Sequence, residues 1–240
     1  MTSEAERVPL LSPDTGPRLV GARWEGPGLR RVHVAVAPGV GFAYVPGQVA
    51  MLGVAGRERG IFAIASAPHE PGPLTFLIKD GGSAAATGLL DAEPGARLVL
   101  EGPLGGGFDL TDAAASDVLL VGVGTGIAPL RSVLAELLVT PGRAGDLALV
   151  HGVRHTSQLC FADDHGGWRA AGVRVRLVAS RPAVSDCWQG RVGRVQRHLA
   201  DLVTPATLAF IAGMDEMMAE TRAALLELGL DPGRIRTNLG

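Results

Sequence analysis

The sequence predicts two domains in tandem: a small antiparallel β-barrel, then an α/β domain built on a parallel sheet. Its 240 residues exceed one ordinary domain and suit two of about 100–150 residues each. The texture of the chain changes near residue 112. Short apolar runs punctuated by Gly and Pro give way to strand-like runs alternating with longer helical patterns. Hydrophobic residues make up 47% of the chain and its mean hydropathy is +0.25, which is material for two cores and argues against disorder.

In the first half, strands are predicted at Arg31–Ala37, Val49–Val54, Ile61–Ser66, Leu74–Lys79 and Arg97–Leu100. Turn signals separate them: Pro38-Gly39, Pro46-Gly47, Pro71-Gly72-Pro73 and Pro94-Gly95. Ala84–Ala92 is the one helix expected there. In the second half, Val118–Gly122, Leu147–His151, Val173–Ala179 and Leu208–Ala212 read as buried strands. Helices are expected at Pro129–Val139, where Leu130, Val133, Leu134 and Leu137 share a face, at Val192–Ala200, and at Met214–Leu228, which Gly229 ends. Residues 1–15 read as a flexible tail, 16–112 as the barrel domain and 113–240 as the α/β domain.

Charge and composition exclude several classes. Lys and Arg number 22 against 24 Asp and Glu, a net charge of −2. Such a balance lacks the basic stripe of a nucleic-acid or anionic-membrane binder, so neither partner is expected. Lys79 is the single lysine, which leaves little room for Schiff-base chemistry. Cys160 and Cys187 are too few for a disulfide framework or for a metal cage of about four ligands. Both read as inert, buried or half-buried thiols. The six histidines form no H-E-x-x-H pattern, so no metal is expected. No basic segment leads into an apolar core at the start, and no apolar run nears the roughly 20 residues of a membrane span. A cytoplasmic protein is expected.

The strongest local signal is VLLVGVGTGIAPLRSVL, residues 118–134. A buried strand ends at Gly122, Gly124-Thr125-Gly126 turn tightly, and Ile127-Ala128-Pro129 open a helix. Glycines let a phosphate approach the backbone. A helix N-terminus offers free N–H groups and the positive end of a dipole. Pro129 suits the first helical turn, where its missing N–H costs nothing. No GK[ST] follows, so this is not a Walker A loop. A nucleotide site is predicted here.

Other motifs stand in order from about Arg18 to Gly240. They are Tyr44-Val45-Pro46-Gly47-Gln48, Phe62-Ala63-Ile64-Ala65-Ser66-Ala67-Pro68, Gly81-Gly82-Ser83 before a short helix, Gly102-Pro103-Leu104-Gly105, and Ala212-Gly213-Met214 to Met217. With Gly122 to Pro129, this order resembles the ferredoxin–NADP(+) reductase superfamily and its Y-x-P-G-Q, R-x-Y-S, G-P-x-G, G-x-G-T-G-I-A-P and C-G-x-x-x-M motifs. The chain is most similar to the branch with F-x-A-I-A-S-x-P in place of R-x-Y-S. The resemblance implies a six-stranded Greek-key barrel that binds FAD, and a second domain that binds NADPH or NADH. Hydride would pass between nicotinamide and flavin, and electrons would go to a small molecule or a separate redox protein.

The same resemblance implies FAD contacts at Phe62, Ala63, Ile64 and Ala65, at Leu77, Ile78 and Lys79, at Gly81, Gly82, Ser83 and Ala84, and at Asn238. Nicotinamide-dinucleotide contacts fall at Gly124, Thr125, Gly126, Ile127, Ala128 and Pro129, with Gly213, Met214 and the basic Arg154. A Cβ at Gly126 is expected to intrude on the ligand. The positions of the family's catalytic groups are substituted: Phe62 for tyrosine, Ala63 for serine and Ala212 for cysteine. Gly60 stands in place of the arginine that forks onto the pyrophosphate. These losses imply slow hydride transfer. Two rival readings remain: an FAD-binding protein of the same fold that performs a substrate oxidation or a non-redox step without efficient nicotinamide turnover, and a degenerate scaffold that has lost the flavin.

Overall fold

A computed structural model describes residues 16–36 and 41–238. The predicted tail and Ala37, the end of the first predicted strand, lie outside the described residues. The first half forms six strands: β1 (Arg18–Gly26), β2 (Leu29–Ala35), β3 (Val49–Val54), β4 (Arg59–Ala63), β5 (Leu74–Lys79) and β6 (Leu98–Leu104). They make two three-stranded antiparallel sheets, ordered β1-β2-β5 and β4-β3-β6. Isolated bridges Ile64↔Phe76 and Arg18↔Arg97 link the two sheets at both margins. Alternation places Val32, Val34, Ala50, Leu52, Phe76 and Ile78 inside, all fully buried. Helix α1 (Ala84–Asp91) packs Leu89 into the same core.

Strand β1 was not expected from the sequence. Its register slips between Leu19 and Gly21 and again between Trp24 and Gly26, which breaks the period of two that reveals a strand.

Residues 105–116 lead into the second half. It comprises β7 (Asp117–Val123), α2 (Ile127–Val139), β8 (Leu147–Val153), α3 (Asp164–Ala170), β9 (Arg174–Ala179), β10 (Arg191–Val192), β11 (Thr207–Ala212), α4 (Asp215–Glu227) and β12 (Ile235–Thr237). The six strands form one parallel sheet, ordered β10-β9-β8-β7-β11-β12. The chain reverses direction across the sheet at β7, so the crevice beyond its carboxyl end is the topological switch point where such sheets bind ligands.

The helix expected at Val192–Ala200 does not form. Val192 joins β10, and two 3-10 turns follow at Val195–His198 and Ala200–Leu202. Those turns suffice to seat Val195, Leu199 and Leu202 on the sheet, so burial is satisfied without a helix. The short α3 and β12 were not foreseen, because seven and three residues are too few to display a period.

The two halves share one apolar cluster. Leu29, Ala65 and Leu77 of the first pack with Ile127, Ala128 and Phe161 of the second. Polar contacts surround it. Glu25 accepts the Phe161 N–H at 2.8 Å, and Asp163 accepts from Arg23 at 2.9 Å and Arg31 at 2.8 Å. Burial works to raise the Asp163 carboxyl, but those two guanidinium groups hold it well below the usual range.

Candidate active site

The loop after β7 sorts the three glycines into different tasks. A Cβ on Gly122 would lie 2.9 Å from the Leu130 side chain and 3.2 Å from the Ile127 nitrogen, so this glycine permits close packing of strand on helix. Gly124 adopts φ +57°, and no atom lies within 4 Å of its Cβ position. Here the backbone is open to a ligand. Gly126 corrects the expectation that a side chain there would intrude on the ligand. Its Cβ would instead lie 2.3 Å from the Ala212 carbonyl oxygen and 2.9 Å from Gly213 Cα, inside the protein. Ile127, Ala128 and Pro129 are buried, so their side chains serve the core and only their main chain faces the loop.

This loop opens on the barrel. Pro27, Leu29, Lys79, Gly124, Thr125 and Gln158 line a narrow crevice between the two halves. Lys79, expected beside the flavin, thus also faces the dinucleotide loop. Gly213 takes φ +155° beneath the Met217 side chain, and Met214 is exposed at the start of α4, both at the carboxyl edge of β11.

The flavin stretch lies on β4 and just past it. Phe62 is half-buried. Its ring lies across Gly60, within 3.1 Å of that residue's Cβ position, where Ala85 of α1 is also 3.2 Å away. An arginine stem at position 60 would meet that ring. Among the nearby cations, Arg59 is paired with Glu101. Arg57 packs over Gly88, one turn from the start of α1, and has no partner among the described residues. At that start, Ser83 accepts the Ala86 N–H at 3.2 Å, while Gly82 has φ +78° and nothing within 4 Å of its Cβ position. Gly81 and Ala84 are exposed beside them. The donor set fits a pyrophosphate held on helix N–H groups rather than on an arginine fork.

Several other expected contacts are occupied within the protein. Ile64, Ala65, Leu77 and Ile78 are buried in the cores. Ala65 donates its N–H to Thr75 at 2.8 Å and its carbonyl accepts from Arg131 at 3.0 Å. Ala63 packs half-buried against the shared cluster, and Ala212 is 1% exposed within it. The Asn238 amide donates to the Gly47 carbonyl at 3.2 Å. Tyr44 donates to Ser66, tying the Y-x-P-G-Q turn to the end of the flavin stretch.

Three further groups at the site belong to no sequence motif. The first is Arg131 on α2, which reaches the Ala65 carbonyl and pairs with Glu70 at 3.0 Å and Asp164 at 2.7 Å. The second is Arg181, whose N–H donates to the Arg154 carbonyl at 2.8 Å. Arg154 and Arg181 are exposed at the carboxyl ends of adjacent strands, and neither of their guanidinium groups has a partner among the described residues. The third is His151 on β8, fully buried, with Nε2 3.3 Å from the Gly124 carbonyl.

Cys160 is buried, and burial pushes its thiol up to about 12, so it is inert. Cys187 departs from expectation: it is exposed, in the left-handed region at φ 47°.

Burial drives His151 down from 6.5 to about 4, with His165 nearby adding to the effect. Its folded value lies below its unfolded one, so the unfolded chain takes up the proton first. Stability should be constant above about pH 6.5 and decline as pH falls from there towards 4, by up to about 3 kcal/mol from this group. Urea unfolding at pH 7 and pH 5 of the parent and of His151→Gln measures it. The parent should lose more stability than the variant.

The oxidoreductase NAD-binding domain model matches residues 120–223. The ferredoxin–NADP reductase B of Sorangium cellulosum is 30% identical over 226 residues, spanning 89% of this chain and 92% of that protein. The sulfhydrogenase 1 subunit gamma of Pyrococcus furiosus is 26% identical over 202 residues, spanning 82% of this chain and 68% of its own. Among solved structures, a ferredoxin–NADP(+) reductase from Neisseria gonorrhoeae with bound FAD and NADP superposes with a TM-score of 0.76. It is 22% identical and covers 92% of this chain and 96% of its own. An Amycolatopsis cytochrome P450 reductase gives 0.81 at 24% identity, over 93% and 68%. Among the described residues, no helix is long and apolar enough to cross a membrane.

Proposed function

The chain belongs to the ferredoxin–NADP(+) reductase family, and from that premise we propose that it is an FAD-dependent NAD(P)H oxidoreductase that supplies electrons to a separate carrier protein. FAD held at the start of α1 and beside Phe62 would supply two-electron hydride acceptance from the nicotinamide and onward electron transfer. The observation that carries this reading is the open Gly124 backbone facing Leu29 and Lys79 across the crevice. It brings the glycine loop to the barrel sheet β1-β2-β5 beside Lys79, one of the expected flavin contacts. The loop and the start of α2 bind the dinucleotide phosphates. The start of α1, with Gly82 and Ser83, binds the FAD pyrophosphate, and Phe62 lines the flavin. The acceptor class rests on the names of the relatives. The two unpaired cysteines support a reducing, cytoplasmic setting. Anaerobic titration of the purified protein with NADPH and NADH, followed at the flavin band, tests the reading. Bleaching is expected; a yellow protein that stays oxidised would overturn it.

The paired cations favour NADPH over NADH. Arg154 and Arg181 are joined through their backbones, and both are exposed with no guanidinium partner among the described residues, so an adenosine 2′-phosphate bound at this edge of the sheet would draw on both. Arg154→Ala with Arg181→Ala should raise the NADPH dissociation constant roughly tenfold to a hundredfold, as for loss of one or two charge-assisted bonds. NADH binding should change less than about twofold. Equilibrium titration with both nucleotides measures the contrast.

A second reading has one observation in its favour. Ala63 and Ala212 place only methyl groups where the family has reactive polar side chains, and Ala212 is closed into the core. Flavin reduction by nicotinamide would then be slow, and Ala63→Ser would accelerate it.

A further inference from the structure

We propose that His151 is a positioning residue for the nicotinamide dinucleotide: it holds the Gly124 carbonyl inward and so turns the Thr125 N–H out towards the ligand. The inference rests on the dinucleotide reading of this loop. His151 sits on β8 directly beside Gly122 of β7, and its side chain is fully buried. A carbonyl oxygen only accepts, so the imidazole nitrogen 3.3 Å away must carry the proton. The ring is therefore the Nε2–H tautomer. Its Nδ1 has no partner among the described residues.

The same Gly124 carbonyl also accepts the Ile127 N–H, the first of α2. Two donors thus fix one oxygen on the core side. The peptide joining Gly124 to Thr125 is planar and trans, so its C=O and N–H point in opposite directions. With the oxygen held inward, the Thr125 N–H is turned the other way, and Thr125 itself lines the crevice with Leu29, Lys79 and Gln158.

Such a pin is needed here. Gly124 has no side chain to restrict it, and its φ of +57° lies in a region that glycine enters and leaves at little cost. A flip of this peptide would present a carbonyl oxygen to the phosphates in place of a donor. A buried imidazole with one unpaired nitrogen is a poorer core residue than an apolar side chain of its size. The one bond it makes, to the Gly124 carbonyl, offsets part of that cost.

The test compares His151→Phe, which fills the space without a donor, with His151→Gln, which keeps an N–H. NADP+ dissociation constants are measured on the purified, flavin-loaded proteins, together with flavin content and melting temperature. The Phe variant should bind NADP+ at least tenfold more weakly with a flavin content like the parent's, and the Gln variant should recover part of the loss. A Phe variant that is folded and binds within twofold of the parent overturns the inference. The parent alone supplies a second measurement that needs no variant to fold. Its nitrogen-15 spectrum at pH 7 should show His151 as Nε2–H, with the Thr125 amide shifting on addition of NADP+. An Nδ1–H tautomer, or a silent Thr125 amide in NADP+-saturated protein, overturns it. A parent that takes up no NADP+ overturns the dinucleotide reading and this inference with it, whereas a binding parent with an unaffected Phe variant overturns this inference alone.

Discussion

Arg131→Met is expected to lower the melting temperature by roughly 5–15 °C and to slow flavin reduction by roughly tenfold to a hundredfold. Arg131 lies one turn into α2, the helix that opens on the dinucleotide loop, yet its guanidinium donates to the Ala65 carbonyl at the end of the flavin stretch. It pairs with Glu70 from the barrel and with Asp164 at the start of α3, and lies 5.5 Å from the Phe161 ring. Its side chain is only 17% exposed. Burial alone would lower its pKa, but Glu70 and Asp164 outweigh that and raise it. Burial likewise works to raise Glu70, and the bonds from Arg131 and the Ala67 N–H bring it below the usual range. Methionine would leave two partly buried carboxylates and one carbonyl without this donor, at a cost of about 2–4 kcal/mol. The kinetic effect follows from geometry. This side chain ties the flavin stretch to the dinucleotide helix, and hydride transfer falls steeply with misplacement of about 1 Å. Calorimetry and anaerobic stopped-flow reduction check both numbers. Flavin content should stay near that of the parent, and Arg131→Lys should fall between.

The second large effect separates two glycines two residues apart. Gly126→Val should fail as a fold. Its Cβ would overlap the Ala212 carbonyl, which belongs to the backbone of β11 and has no rotamer by which to move away. A loss of more than about 3 kcal/mol is expected, seen as low soluble yield and a large fall in melting temperature. Gly124→Val should fail as a binding site. The space around its Cβ is open, so the domain tolerates it apart from about 1–2 kcal/mol of left-handed strain. The side chain would project where the phosphates approach, and NADP+ affinity should fall more than tenfold. Thermal melts set beside NADP+ titrations distinguish the two. Equal loss of affinity in a well-folded Gly126→Val would overturn this division of labour.

The two-part architecture is legible in the sequence, because long apolar periods and Gly/Pro punctuation are local properties. Val118–Gly122 and Pro129–Val139 announce strand and helix in any context, and the glycines of G-x-G-T-G-I-A-P mark a tight turn between them. The sequence likewise located α1. It did not reveal β1, whose bulges erase the strand period, nor exclude a helix at Val192–Ala200, where the parallel sheet captured the first residue. Which glycine has open space beside it and which abuts β11 emerges only in the folded chain, because a Cβ clash depends on what another strand places nearby. The tertiary structure alone joined Arg131 to Ala65, 66 residues earlier, and His151 to Gly124, 27 residues earlier. Those contacts have no period and no motif. They exist because a parallel sheet sets β8 beside β7, and because the shared apolar cluster draws α2 against the barrel.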